Sequence, residues 1–385
     1  MPFDLCYNEA FPMPENILVV NPGSTSDEIA CFKGDAQVFH TVVRYSPEEL
    51  KPFEKEKVTA QFQFRRDLAL RTLKEKGVPL TDLKAVIGRG GLIRPIPSGT
   101  YRVSGALLED LKKGVLGDHP SNLGGLIAHE IASPLNIPAF IADPVVVDEM
   151  EPLARYSGMP ENPRISIFHA LNQKRVARLA AEKLGKKYED CNLIVMHGGG
   201  GLSVGAHKRG RVVDVNNALD GEGPFTPQRS GGVPSGGLAK MCFSGKYKLD
   251  EIKLKIKGRG GLVAYTGTSD VVAIKKYIAG EEVPEKAGLD KSRVTPQQAK
   301  ECLLAMAYQV AKEIGALAAV LEGKVDAIAL TGGIVYDSDL IVPAIRSRVE
   351  WIAPVMLFPG GDEMCALRDA AVRALKDAKS IQEYR

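Results

Sequence analysis

Apolar and polar positions along the chain alternate between two patterns. Short, β-branched apolar runs at 17–20, 29–32, 37–43, 85–87, 139–141, 193–196, 202–207, 211–215, 327–330 and 355–358 predict strands. Stretches with apolar residues every three to four positions predict helices between them. The stretch 62–76 has apolar residues at Phe64, Leu68 and Leu73 with charges between, and 122–133 opens on Asn122, a cap-type residue. Longer candidates cover 166–184 and 296–322, and 363–376 is the last. Strands mixed with helices along the whole chain predict an α/β architecture.

One arrangement occurs twice. The run 17–20 leads into Asn21-Pro22-Gly23-Ser24-Thr25-Ser26, then into the strands 29–32 and 37–43. The run 193–196 leads into His197-Gly198-Gly199-Gly200-Gly201, then into 202–207 and 211–215. Both are three-strand meanders whose first turn is built of small residues. The repeat predicts duplicated domains, each offering a hairpin to a shared cleft. The expected bounds are 1–150 together with 360–385 for one domain and 151–359 for the other. A hinge is expected at 151–164, which holds Pro152, Gly158, Pro160 and Pro163.

Composition narrows the class. The 385 residues are 44% hydrophobic and 25% charged, as in a soluble globular protein. A net charge of +3 is too small to call for nucleic acid or a membrane surface as partner. The six cysteines, Cys6, Cys31, Cys191, Cys242, Cys302 and Cys365, lie far apart with no C-x-x-C pair. That argues against a zinc site or disulfide framework and for a reducing compartment. No apolar run is read as reaching membrane-spanning length. Residues 1–14 lack a signal pattern and read as a short extension before the first strand, so a cytoplasmic protein is expected.

Several segments carry candidate chemistry. Gly23 lets backbone approach a ligand, and Ser24, Thr25, Ser26 and the local N–H groups suit phosphate oxygens. An ordinary polar hairpin explains the same residues, and the spacing does not fit a Walker A loop. The four glycines 198–201 are entropically costly, which favours close approach to a polyphosphate over a merely flexible turn. Thr331-Gly332-Gly333-Ile334 ends an apolar run, where a flat ligand can lie on backbone or a strand can simply stop. Arg89, flanked by Gly88 and Gly90-Gly91, is placed to hold a carboxylate or phosphate bidentately, or is a surface arginine in a glycine loop. Asp143 ends the run 139–141 before Pro144, and His169 sits beside apolar residues near a helix start. In isolation a plain turn explains Asp143, and a satisfied core or cap histidine explains His169, better than a chemical role does. The segment 220–232, with Phe225 and Arg229, is too rich in Gly and Pro for regular structure and reads as a functional or disordered loop.

Taken together, the segments NPGSTS from Asn21, GRGG from Gly88, SNLGGLIAHE from Ser121, ADPVVVDEM from Ala142, SIFHALNQKRVA from Ser166, HGGGGLSVGAH from His197, GRVVDVNNALDGEGPFTPQRSGG from Gly210, GGLVAYTGTSD from Gly260, AMAYQVAK from Ala305 and LTGGIVYD from Leu330 closely resemble the butyrate and branched-chain carboxylate kinases of the acetate kinase family. That family lies within the superfamily of acetate and sugar kinases, heat-shock ATPases and actin. The resemblance runs in order from about 17 to 375, and the stretches from Ala142, Ser166 and Gly210 look specific to the butyrate branch.

The resemblance implies two duplicated actin-like (ribonuclease H-like) α/β domains with a nucleotide cleft between them. It implies ATP/ADP and Mg2+ as cofactors, a small carboxylate as the other substrate, and a homo-oligomer, a dimer or higher. The implied reaction is reversible transfer between ATP and butanoate, giving butanoyl phosphate and ADP. Residue by residue, Asn21, Gly23, Ser24 and Ser26 would face the phosphates, with Asn21 and Glu363 holding the metal. Arg89 would hold the carboxylate or the transferring phosphoryl group. Asp143 matches the catalytic Asp, and His169 the histidine that stabilises the transition state. His197, Gly198, Gly199 and Gly200 match the second phosphate loop, and Gly332, Gly333 and Ile334 the adenosine loop.

Gly91 and Gly117 stand where acetate kinases carry larger residues, so they are expected to open space for a longer acyl chain walled by Phe168 and Pro227. Arg229 stands in for a second active-site arginine whose expected position is Pro234. The chain departs from the family at Asp27-Glu28, where Thr-Lys is usual, and at Asp362, where Asn is usual. Two acids beside the phosphates leave open a nucleotide-binding regulator with impaired transfer, alongside an acetate or propionate kinase.

Overall fold

The computed structural model describes residues 16–385; the expected extension at 1–14, with Cys6, lies outside the described residues. Residues 16–147 and 362–385 pack as one unit, and 148–361 as a second.

The first unit is built on a sheet of β1 (Asn16–Pro22), β2 (Ser26–Lys33), β3 (Ala36–Arg44), β4 (Leu83–Arg89), β5 (Thr100–Arg102) and β6 (Ala139–Ala142), with Ile381–Gln382 added at one edge. Along the sheet the order is Ile381–Gln382, β5, β6, β4, β1, β2, β3. Ile17, Leu18, Val19 and Val20 are all buried, because β1 is central and covered on both faces; a continuous apolar run is what such a strand requires. β3, at the edge, buries Phe39 and leaves Val38, His40 and Val42 exposed. Helices α1 (Phe62–Glu75), α2 (Gly105–Lys113) and α3 (Asn122–Ala132) precede the C-terminal helix Glu363–Lys376.

Asn122 does not cap α3 as its type suggested. Ser121 holds the cap position without a side-chain bond, and the buried Asn122 amide ties two loops together. Its Oδ1 accepts from Leu92 N at 2.7 Å, and its Nδ2 donates to Gly117 O at 2.9 Å.

The second unit repeats the scheme. Its sheet runs β11 (Val355–Pro359), β10 (Ala327–Gly332), β7 (Asn192–Gly198), β8 (Leu202–Lys208), β9 (Arg211–Val215). β7 is antiparallel to β8 and β8 to β9, while β7, β10 and β11 are parallel. β1 bears the same relations to β2, β3, β4 and β6. The two units therefore share strand order and direction over five strands, which is the duplication expected from the two meanders.

Helix α4 (Ala170–Lys183) begins four residues later than the periodicity suggested, because the Ile167 carbonyl is engaged by Ala218 N at 2.8 Å. Helix α5 (Pro296–Val320) starts at a Thr295–Gln298 capping box and buries Leu303, Met306, Ala307, Val310, Ile314 and Leu317 along one stripe. That stripe joins Ile194, Met196, Val204 and Leu330 in the unit's core. By length and composition α5 would suffice to cross a membrane, contrary to the expectation that no run reaches that length.

The Pro- and Gly-rich segment 151–164, expected as a hinge, is folded onto the second unit. Glu151 N donates to Val213 O at 2.9 Å, and Arg164 Nη1 donates to Asp214 Oδ1 at 2.9 Å.

Candidate active site

In the first unit three parallel strands end side by side. Gly88 and Arg89 of β4 pair with Ile141 and Ala142 of β6, and Val20 of β1 with Gly88. Asn21, Arg89 and Asp143 therefore leave adjacent strands at their carboxyl ends, where open α/β sheets bind ligands. The Gly88–Arg89 backbone lies so close to α3 that a Cβ on Gly124 would collide with it, while a Cβ on Gly125 would strike Leu111 and Ile141. The N-terminus of the C-terminal helix, capped by Asp362 on Cys365 N at 2.9 Å, brings Glu363 to the same place.

There the side chains meet. Arg89 Nη1 donates to Glu363 Oε2 at 2.7 Å and to Asn21 Oδ1 at 3.3 Å, and Asn21 Nδ2 donates to Glu363 Oε2 at 3.0 Å. Arg89 and Glu363 keep about a quarter of their side chains exposed, so an incoming anion and cation can divide this pair between them. Asp143 is buried and lies in the left-handed region at φ 38°, unusual for a residue with a Cβ. Its Oδ1 accepts from Ser98 Oγ at 2.6 Å and from Gly99 N at 2.8 Å.

Asn21 Oδ1 and the Glu363 carboxylate are hard oxygen donors. Mg2+ takes one or two such protein ligands, with phosphate oxygens and water completing its shell, so the pair fits that ion. Among the described residues no group of three or more His, Cys, Asp and Glu forms a metal cluster.

The first loop is a tight hairpin closed by Gly23 N to Ser26 O at 2.7 Å, with Ser24 and Thr25 exposed at its tip. The acids that follow it both have partners. Asp27 is buried and ion-paired with the equally buried Arg65, and it accepts from Tyr45 Oη at 2.7 Å. Burial pushes its carboxyl up, opposed by the Arg65 guanidinium and the Tyr45 hydroxyl. Arg65 Nη1 also donates to Gly23 O at 2.8 Å, so the Asp27–Arg65 pair braces the loop from beneath. Glu28 lies 3.2 Å from His40 Nε2 across the β2–β3 pair.

In the second unit the parallel strands β7 and β10 carry His197 and Thr331 one residue before their ends, as register partners. His197 Nδ1–H donates to Asn172 Oδ1 at 2.6 Å, and its ring stacks on His169 at 4.1 Å between centroids. His169 Nδ1 lies 2.8 Å from Ser203 Oγ. Gly199 and Gly200, with Gly333 and Ile334, line a cavity of about 440 Å³ shared with Val271, Val272, Lys275 and Tyr336. Apolar walls at one side and glycine backbone at another suit a nucleoside carrying phosphates.

None of Gly198–Gly201 takes a positive φ; close approach is what they supply. Gly198 packs against Ile334, and a Cβ on Gly201 would strike the Arg229 guanidinium. Part of the glycine requirement is therefore met by the protein's own side chains rather than by a ligand.

Some expected roles change. Gly91 opens no room: a Cβ there would lie 2.5 Å from Asn122 Oδ1 and 2.8 Å from Leu111 Cδ2. Gly117, at φ 145°, is required by its backbone, with Leu92 occupying the space a Cβ would reach. Pro227 lines the cavity of Gly333 and Ile334. Arg229 turns inward and donates to Ala218 O, and burial lowers its pKa. Phe168 is buried beside His169.

Residue reading by motif missed Ser98, Arg65, Ser203, Gln173 and Lys275. Only Ser203 and Gln173 lay within matched segments, where their neighbours carried the signal.

The family model described as the acetokinase family matches residues 164–353. A protein of Elusimicrobium minutum named a probable butyrate kinase is 53% identical over 374 residues, covering 97% of this chain and 100% of that protein. The fold is also that of an acetate kinase from Porphyromonas gingivalis, with a TM-score of 0.72 at 20% identity over 93% of this chain and 99% of that one. A propionate kinase from Francisella tularensis gives 0.69 at 19% identity over 92% and 98%.

Proposed function

Because this chain belongs to the acetokinase family, we propose that it is a butyrate kinase, exchanging a phosphoryl group between ATP and butanoate to give ADP and butanoyl phosphate. The observation that carries the reading is the 53% identity, sustained over nearly the whole chain, to a protein named for that activity. The substrates are ATP and a small carboxylate, and the protein acts in the cytoplasm as a homo-oligomer.

Phosphoryl transfer needs positioning and charge neutralisation more than covalent help. The Asn21–Ser26 loop and the glycines 198–200 would receive the phosphates, and the cavity beside Gly332, Gly333 and Ile334 the nucleoside. Asn21 and Glu363 would hold Mg2+, which when bound supplies positive charge to the phosphate oxygens. Arg89, released from Glu363, would bind the carboxylate and offset charge on the transferring group. His169 would donate a hydrogen bond to that group. The acid is already an anion, so no base is needed to make it a nucleophile. Asp143, held by Ser98 and Gly99, would then orient neighbouring groups rather than remove a proton.

The partners of Asp27 and Glu28 support an active enzyme over an impaired regulator, since Asp27 is neutralised beneath the loop by Arg65. The test is hydroxylamine trapping of acyl phosphate with MgATP and acids from acetate to valerate. A maximum at butanoate that disappears in Arg89→Ala is expected. Nucleotide binding with no hydroxamate from any acid would overturn the proposal.

A further inference from the structure

A line of buried polar side chains runs behind His169 through the second unit. Tyr188, His207, Gln173 and Ser203 are all at or below 5% exposure. Tyr188 Oη lies 2.7 Å from His207 Nδ1, and His207 Nε2 lies 3.0 Å from Gln173 Oε1. Gln173 Nε2 lies 2.8 Å from Ser203 Oγ and 3.1 Å from the Ser203 carbonyl, and Ser203 Oγ lies 2.8 Å from His169 Nδ1. Ser203, Gly205 and His207 alternate along β8 and so share one face, towards α4. A Cβ on Gly205 would sit 2.6 Å from Gln173 Oε1, so the glycine makes room for the amide in the middle of the line.

The bond directions follow from a fixed acceptor, the Ser203 carbonyl, from a neutral His207 ring and from the donors that meet Ser203 Oγ. A backbone carbonyl can only accept, so the Gln173 atom facing the Ser203 carbonyl must be the NH2 group. Its oxygen then faces His207, and His207 Nε2 must carry a proton to donate to it. Burial and the nearby Lys174 and Arg178 hold the His207 pKa well below its usual range, so the ring is neutral and its Nδ1 accepts from the Tyr188 hydroxyl. At Ser203, Oγ accepts from Gln173 Nε2–H and, at 3.5 Å, from His169 N–H. With both acceptor positions taken, the hydroxyl proton points at His169 Nδ1.

We infer that Tyr188, His207, Gln173 and Ser203 form a one-way hydrogen-bond relay that sets the tautomer of His169, so that Nδ1 accepts and the ring proton is held at Nε2. The four are positioning residues; they act on the reaction only through His169. Their catalytic part rests on the kinase reading above, and a neutral Nε2–H donor is the form that would meet an oxygen of the transferring group without exchanging a proton with it. The same logic makes loss of an orienting partner a kcat effect, because bound substrates are held by other residues.

The test combines imidazole nitrogen NMR with kinetics on the full chain. In the wild type His169 should show a pyridine-like Nδ1 and a pyrrole-like Nε2 in the neutral ring. Ser203→Ala keeps the carbonyl that holds Gln173 but removes the hydroxyl. It should give a tautomer mixture at His169 with the His207 signals unchanged, and kcat lower by up to about 100-fold, with KM for ATP and acid unchanged. Ser203→Thr, which restores the hydroxyl, should recover the tautomer and most of kcat. A wild-type His169 protonated at Nδ1, or a Ser203→Ala protein with the wild-type tautomer, overturns the relay. Because the wild-type spectrum needs no variant, that judgement does not depend on how Ser203→Ala folds. Absence of acyl phosphate from wild-type protein overturns the kinase reading alone, since the nitrogen spectra are read without turnover.

Discussion

Asp27 separates two accounts of the first loop. If its carboxylate faced the nucleotide, Asp27→Asn would relieve repulsion, tighten ATP binding and leave stability alone. The structure places it underneath, with Arg65 at 0% and Asp27 at 1% side-chain exposure. Arg65 also spans from Gly23 O at 2.8 Å to Gln61 Oε1 at 2.7 Å. Removing one partner of such a pair strands a charge away from water, which costs about 3–5 kcal/mol. Arg65→Met should therefore destabilise by that amount, a large fraction of a typical 5–15 kcal/mol total. It should also raise KM for ATP, because Gly23 loses its brace. Asp27→Asn in the Arg65→Met background should recover more than half of the loss, since the uncompensated charge is gone. Urea unfolding of the four proteins of the cycle, with ATP titrations on each, reads both effects. An Asp27→Asn protein that is as stable as wild type and binds ATP more tightly would refute the reasoning.

Further outcomes follow from the same structure. Gly91→Ala should destabilise by about 1–3 kcal/mol through overpacking against Asn122 and Leu111, with the preferred acid length unchanged in the hydroxamate assay. The buried His207 has its folded-state pKa depressed, so as pH falls below about 6.5 the unfolded chain binds a proton that the folded one refuses. Stability should drop by up to about 1.4 kcal/mol per pH unit in that range, and His207→Gln should flatten the slope of urea midpoints measured from pH 7 to pH 5. Leu303→Ala, at the centre of the α5 stripe, should cost about 2–5 kcal/mol in the same unfolding assay.

By itself the sequence determined the elements whose physics is local or periodic. The continuous apolar runs of β1, β7 and β10 could only be central strands, because both faces of each had to be buried. The two meanders with small-residue first turns were legible for the same reason, and with them the duplicated α/β plan. Asn21 and Arg89 were expected in the site from their motifs, and Glu363 from the resemblance alone. Their mutual hydrogen bonds were not, because 274 residues separate Arg89 from Glu363 along the chain, and only the sheet register brings the strand ends beside that helix.

Tertiary structure alone decided the meaning of residues whose role depends on what lies opposite. Gly91 looked like an opening and is a contact point, because Asn122 and Leu111 fill the space a side chain would take. Asp27 looked like an obstacle to nucleotide and is a support, because Arg65, 38 residues away, lies buried beneath the loop. Ser203 and Gln173 carried no signal of their own, because a tautomer is set by the direction of hydrogen bonds, and direction is a property of the packed interior.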